Sequence, residues 1–357
     1  MELEFKQFNG DQELDKQRVL FTECFPETIG ASISTKTHYN WKFHSTYKTF
    51  EYGAYSDNDI IGYYAAIPYK YKYFDKNITA AMVCDVMTGV KARGKGVFTK
   101  LGYYSNQKFK EGGLDFSSGF PIRPEVIPGH LKVGWEILFD LPLYTRFIKF
   151  NSFLKNKKKS LLIPLFNTSA FFYGFLLNIF TKKNKEITVH NYSSIKDIDL
   201  DDGFFSLLKE KQDQIPISLI KDKEFIMWRL NAPKTQYNIS VVKHNEKLVG
   251  YAISRFITKE GVPSIGILDI SLLDGFYHLS RYLLKEIDRF AKKENAEFIF
   301  IMMSSYWFKN YELWKSGYLK STYKFKYIFK RLNLPKDNVN LNDPMNWNLM
   351  WIDSDDL

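Results

Sequence analysis

Asp85-Val86-Met87-Thr88-Gly89-Val90-Lys91-Ala92-Arg93-Gly94-Lys95-Gly96-Val97-Phe98 is the chemically distinctive stretch of this 357-residue chain. An apolar run, Ala80 to Cys84, leads into it and reads as a strand; a short loop of glycines and cations follows, and a helix begins near Val97. Glycines let a ligand approach the backbone, and the free amides of a helix start point at anions. In physical terms this is a pyrophosphate cradle. It is not the nucleotide P-loop, because no Ser or Thr follows Lys95 and the first glycine is misplaced; nor is it a dinucleotide Gly-x-Gly-x-x-Gly turn.

The surroundings of this stretch occur twice. Residues 39–64 and 226–252 each carry Trp and a basic residue (Trp41-Lys42, Trp228-Arg229), an alternating run, a polar turn, and a second run holding Gly-Tyr (Gly62-Tyr63, Gly250-Tyr251). Trp41 to Gly62 is 21 residues and Trp228 to Gly250 is 22. The turns at 56–59 and 243–246 predict β-hairpins. Asp85 then lies 23 residues beyond Gly62, and Asp269 lies 19 beyond Gly250. In the second half Phe276, Leu279, Leu283, Ile287 and Phe290 recur at helical spacing. Apolar runs at 114–119 and 297–303 predict buried strands, and Gly134-Trp135 and Gly317-Tyr318 each precede a last strand. Each half thus reads as hairpin, strand, helix, strand, helix, strand: a mixed α/β unit used in tandem.

Strand, Arg93-Gly94-Lys95-Gly96, helix resembles the coenzyme A loop of the GNAT acetyltransferases, whose pattern is Arg/Gln-x-x-Gly-x-Gly/Ala. Arg93 and Gly96 match; Phe98 departs from the usual small residue. With Trp41-Lys42-Phe43 ahead of the first hairpin and Phe120-Pro121 followed by Gly134-Trp135 behind, the chain is similar to the bacterial two-lobed, tandem GNAT proteins. The resemblance implies an α/β fold with a mixed sheet, two GNAT-like acyl-CoA N-acyltransferase lobes, acetyl-CoA (an acyl-CoA) as co-substrate, and no metal. Backbone groups of Val86, Met87 and Thr88 would pair with the pantetheine arm. The amides from Arg93 through Gly94, Lys95 and Gly96 to Val97, with Phe98 on the first helical turn, would hold the pyrophosphate. Arg93 and Lys95 would add charge, although Lys95 reads equally as a solvated loop residue.

The family's usual tyrosine, which protonates the departing thiolate, is replaced by His130, four residues before Gly134. Histidine donates protons near neutral pH, yet a surface or capping role is the plainer reading. Asp85 is the first candidate for the base, with a structural carboxylate as its alternative. Glu125 and the tail acids Asp353, Asp355 and Asp356 are further candidates, and Trp41, Glu125 and Asp355 are expected to touch the acceptor. The second half has Leu272-Leu273-Asp274-Gly275 where the loop should be, so that lobe is expected to shape the acceptor pocket without binding coenzyme.

Apolar residues form 45% of the chain and charged residues 25%, which excludes wholesale disorder; only Cys24 and Cys84 are present, which excludes a disulfide framework. The N-terminus lacks a signal-peptide layout, so a cytoplasmic protein is expected, with a peripheral place at the inner face of a membrane as an added reading. The net charge of +10 is lopsided: eight lysines and no acid lie between Lys149 and Lys185. That leaves the rest near neutral and argues against nucleic acid as a partner. The window encloses Leu161–Phe180, uncharged but interrupted by Pro164, Asn167, Thr168, Ser169, Gly174 and Asn178. Lysines at both ends give a spanning helix no preferred orientation. Two readings stay open: an element buried against the lobes, or a membrane contact through 155–185 that dips into a bilayer, with Asn167–Ser169 as the break between two short helices.

The expected organisation is an acyl-CoA-binding lobe (1–150), a lysine-flanked linker (151–185), a degenerate second lobe (186–335) and a tail packed near the pocket (336–357). The expected activity is acyl transfer, most simply acetyl transfer, onto an amino or hydroxyl group of a small polar acceptor such as an amino sugar or surface-glycan precursor. A peptidoglycan-bridge type aminoacyl transferase is an alternative that the Arg93–Gly96 loop disfavours. A non-catalytic, membrane-docking protein that kept the fold is another.

Overall fold

Two hairpins frame the molecule, and their turns repeat one geometry. Asp57 and Asn58 (φ 52° and 65°) and Asn245 and Glu246 (φ 47° and 64°) form two-residue loops closed by the pairs Ser56–Asp59 and His244–Lys247. Positive φ at both positions is what a type I′ turn requires. The computed structural model describes residues 2–179, 184–198, 202–336 and 339–355.

The first half runs β1 (Glu4–Gln7), α1 (Gly10–Cys24), α2 (Lys36–His44), β2 (Phe50–Ser56), β3 (Asp59–Tyr73), β4 (Lys76–Thr88), α3 (Val97–Glu111), β5 (Phe116–Gly119), α4 (Ile127–Lys132) and β6 (Glu136–Phe147). Then come α5 (Asn151–Asn156) and α6 (Ile163–Ile179). The second half runs β7 (Ile187–Tyr192), α7 (Asp202–Asp213), β8 (Ile217–Leu219), α8 (Lys223–Arg229), β9 (Tyr237–His244), β10 (Lys247–Lys259), β11 (Val262–Leu272), α9 (Ser280–Lys293), β12 (Phe298–Met302), α10 (Ser305–Asn310) and β13 (Leu319–Arg331), with β14 (Trp347–Asn348) in the tail.

These strands make one mixed sheet in the order β1-β2-β3-β4-β5-β13-β6-β12-β11-β10-β9-β7, with β8 beside β3 and β14 beside β8. The order departs from two closed units at 1–150 and 186–335. β13 of the second half lies against β5 of the first, Ile328 opposite Gly119, while β6 of the first lies against β12 of the second, Phe147 opposite Phe298. The last strands are therefore exchanged, and the halves share a single hydrogen-bonded sheet. Trp41 and Trp228 express the same two-fold relation: their rings stack at 5.3 Å, and each indole N–H donates to the other's carbonyl at 2.9 Å. Trp41, expected to touch the acceptor, is instead buried between the halves.

The tail is a buried element. Trp347, Met350, Ile352 and Asp353 are each 1% exposed or less, and Arg229 donates to the carbonyls of Ile352 (3.3 Å) and Ser354. The linker is not buried. Its stretch 160–177 lies wholly on the surface, so the reading as a core element fails, and α6 is one continuous helix with no break at Asn167–Ser169. Pro164 sits in its first turn, where a missing N–H costs nothing.

Candidate active site

β4 and β5 run parallel only from Ala80–Phe116 to Met82–Ser118. Past that point the two strands separate. β4 also gains one residue there, since Tyr63 faces Met87 whereas Ala65 faces Cys84. Asp85 absorbs this bulge in the left-handed region (φ 47°), which Asp tolerates better than most residues. The open edge of β4 consequently faces a gap that holds two cavities sharing the walls Phe25, Val86, Ile122, Arg123 and Val126.

The outer cleft, about 800 Å³, is lined by Val86, Met87, Thr88, Arg93, Gly94, Gly96, Val97 and Phe98. Gly94 and Gly96 both have φ 75°, and a Cβ on either would meet no atom within 4 Å. Glycine is needed there for its conformation, and the loop's surface stays open. The amides of Val97, Phe98 and Thr99 precede the first helical hydrogen bond, Lys100 N–H to the Gly96 carbonyl (3.0 Å), so α3 presents unpaired donors to the cleft. α3 is held in place by Val97, Leu101 and Phe109, buried one above another. Phe98 fits its unexpected position because residue 129 is glycine: a Cβ there would come within 2.5 Å of the Phe98 ring.

Two expectations for this cleft change. Lys95 is exposed and stands off the cleft wall. The Thr88 carbonyl already accepts Arg93 Nε (3.3 Å) and the Cys24 thiol (3.5 Å), and Met87 is registered against Tyr63 of β3, which leaves Val86 as the candidate for pairing along this edge.

The inner cavity, about 370 Å³, is walled by Phe21, Phe25, Ile33, Phe120 and Ile328 and floored by Cys84, Asp85 and Asp355. Lys42 organises the floor. Its Nζ lies 2.8 Å from Asp85 Oδ1 and 3.3 Å from Asp355 Oδ2, with its own side chain 3% exposed. Burial alone would lower the lysine's pKa; Asp85 and Asp355 outweigh it, so the ammonium is held charged. Burial likewise pushes the Asp85 carboxyl up, but Lys42 and Arg18 (4.0 Å) bring it below its ordinary value. A carboxylate held so firmly in its ionised form is a weak proton acceptor, which counts against Asp85 as the base and for it as an anchor of Lys42. Asp355 has the same ammonium for a partner and reaches the cavity from the tail. Burial pushes the Cys84 thiol well up, so it stays protonated. A cation between Cys84, Asp85 and Asp355 would have to displace Lys42.

His130 lines the inner cavity, but Phe98 and Trp135 pack edge-on against it at 5.1 and 4.9 Å. Burial lowers its pKa to about 4. The neutral ring that results is a poor donor for a departing thiolate, so the expected acid role is set aside. Glu125 is exposed on the outer cleft, away from the inner floor. Asp353 is buried against Lys221 (3.3 Å), itself 2.8 Å from Asp269: a second-half counterpart of the Lys42 cluster, beside a separate cleft of about 600 Å³ that Lys221 lines. Asp356 falls outside the described residues. Sequence reasoning missed Lys42 as a site residue, and also Arg18 and Arg123; Trp-Lys against Trp-Arg in the repeat was the one hint for Lys42.

Residues 7–138 match the family model described as the acetyltransferase (GNAT) domain. The first lobe is a GNAT acetyltransferase domain. The whole chain follows the fold of larger GNAT proteins. A GCN5-related N-acetyltransferase from Anabaena variabilis superposes over 93% of this chain and 74% of its own, with TM-score 0.64 and 11% identity. One from Kribbella flavida covers 94% and 72%, with TM-score 0.59 and 12% identity. The N-myristoyltransferase of Saccharomyces cerevisiae with bound myristoyl-CoA covers 92% and 82%, with TM-score 0.61 and 12% identity. No curated protein sequence matches significantly. The chain as a whole shares the fold of these proteins, and its GNAT domain at 7–138 includes the Arg93–Gly96 loop.

Proposed function

We propose that the enzyme transfers an acyl group, most simply acetyl, from acyl-CoA to a primary amine on a small polar acceptor such as an amino sugar. The observation that carries this reading is the carboxylate pair Asp85–Asp355, bridged by Lys42, on the floor of a cavity continuous with the glycine cradle. An acyl-CoA in the cleft supplies an activated thioester whose carbonyl carbon accepts a nucleophile. Val86 offers the strand edge that aligns its arm, and the α3 amides face its phosphates. The acceptor amine arrives as an ammonium, and Asp355, the floor carboxylate that reaches in from the tail, takes one proton. The amine nitrogen then bonds to the carbonyl carbon, giving up its second proton to solvent as the C–S bond breaks. An ordinary thiol titrates near ~8.5, so the thiolate can leave and be protonated by solvent without a dedicated acid. The products are amide, free coenzyme A and one released proton.

Phe21, Phe25, Phe120, Ile122 and Val126 keep water from the thioester and leave polar recognition to Glu27, Thr28 and Arg123 on the rim. The test is thiol release from acetyl-CoA and longer acyl-CoAs against a panel of amino sugars, their lipid-linked forms and simple amines. Acceptor-dependent thiol release is expected. A protein that binds acetyl-CoA yet releases no thiol with any amine would overturn the amine reading.

A further inference from the structure

α6 is built inside out. The residues it turns toward the protein are Ile163, Asn167, Ala170, Gly174 and Leu177, spaced four, three, four and three apart on one face. That face is small and partly polar. Asn167 accepts the Phe150 N–H and donates to Asn151, both at 2.8 Å. Gly174 admits Arg146, whose Nη2 would lie 3.3 Å from a Cβ there, and Tyr173 and Leu177 close over Gly317. The opposite face holds Leu165, Phe171, Phe172, Phe175 and Leu176, each more than half exposed, and Leu161 just ahead is 97% exposed. A water-facing surface helix has the reverse arrangement.

We propose that this face is a monotopic docking surface that seats in the headgroup layer of an anionic bilayer. Charge selects the occupant. Lys155, Lys157, Lys158, Lys159 and Lys185 are exposed at the two ends of the helix, and no acid occurs from Lys149 to Lys185. Lys182 and Lys183 lie outside the described residues. A second copy docked face to face would set one lysine cluster against another and be repelled, whereas anionic headgroups would be drawn to both ends. The helix does not cross the bilayer. β6 before it and β7 after it belong to one continuous sheet, and a crossing would place the two halves of that sheet on opposite sides of the membrane. The 17 residues lie instead along the surface, about 26 Å end to end at ~1.5 Å per residue, at the depth where amphipathic helices bury their apolar side. This proposal goes beyond the acyl-transfer reading and does not depend on it.

The experiment is co-sedimentation of the full-length protein with phosphatidylserine-containing vesicles and with pure phosphatidylcholine vesicles, at low and high salt. Light scattering without vesicles and thermal melting accompany each variant. Binding to the anionic vesicles that weakens with salt is expected. Phe171→Asp/Phe175→Asp and, separately, Lys157→Glu/Lys158→Glu/Lys159→Glu should each lower it on the order of a hundredfold with melting unchanged. Failure of the wild type to bind anionic vesicles overturns the proposal, as does full binding by the phenylalanine variant. A wild-type dimer that the phenylalanine variant converts to monomer, without vesicle binding, would assign the face to a second copy instead.

Discussion

Replacing Gly96 by Glu separates coenzyme binding from folding, because the structure predicts opposite magnitudes for the two. A side chain at φ 75° costs about 1–2 kcal/mol in stability. A negative charge beside the start of α3 returns roughly 0.3–1 kcal/mol through the helix dipole. The net cost, near ~1 kcal/mol, lowers the melting temperature by only a few degrees in a chain of this size. A Cβ at Gly96 has no neighbour within 4 Å, and Gly96 lines the cleft. A carboxylate about 5 Å from a bound phosphate, at an effective dielectric of ~20, opposes binding by about 3 kcal/mol, and steric overlap adds to that. Calorimetry should therefore show acetyl-CoA affinity lowered by at least about a hundredfold, while Gly96→Ala, with the same backbone cost and no charge, retains far more of it. A folded Gly96→Glu protein that binds within about threefold of wild type would refute the cradle.

Asp355→Asn removes one of the two counter-charges of the buried Lys42, so it should lower the melting temperature by a few degrees, leave acyl-CoA affinity unchanged and lower kcat about 10²–10⁴-fold in the thiol-release assay. Lys42→Met strands two carboxylates in the cavity floor and should cost about 3–5 kcal/mol by denaturant titration, with much of it restored when Asp85→Asn is added. Trp41→Ala and Trp228→Ala should each cost about 3–5 kcal/mol, and the double variant less than the sum, because each indole bonds the other's carbonyl. His38 and His130 are both held neutral, with pKa lowered from 6.5 to about 4, chiefly by burial. The unfolded chain takes up these protons first as pH falls, so their stabilising effect is complete above about 6.5 and lost on the way down to about 4, on the order of 3 kcal/mol for each. His130→Phe should shallow that acid limb and keep most of the activity; loss of turnover would restore His130 as a proton donor.

Much of the fold was legible because it is written in local pattern. The Asp57-Asn58 and Asn245-Glu246 turns, the strand before Asp85 and the glycine loop before α3 all follow from short-range sequence, and the repeat in Trp-Lys and Trp-Arg gave the two-fold relation. Long-range pairing was not legible. Lys42 and Asp85 are 43 residues apart, and Asp355 is a further 270 along the chain, so no spacing rule joins them. For His130, residue type suggested a titratable group, whereas burial and the packing of Phe98 and Trp135, which favour the neutral ring, come from tertiary contacts that the sequence does not display. Of the two readings open for α6, burial against the lobes failed because apolar content signals burial only when something lies opposite, and nothing among the described residues covers that face. The strand exchange was hidden because strands pair through backbone N–H and C=O groups, which do not record in the sequence which lobe supplies the partner.

The exchange also sets an order of events during synthesis. β5 ends at Gly119, and its neighbour β13 begins at Leu319, 200 residues later. At ~5–20 residues per second, the ribosome needs about 10–40 s to supply that strand. For that interval the first half carries an unpaired edge beside its own cleft, an edge of the kind that recruits other nascent strands. A chain interrupted anywhere between the two strands would not release a small working acetyltransferase, but a sheet left open through its middle.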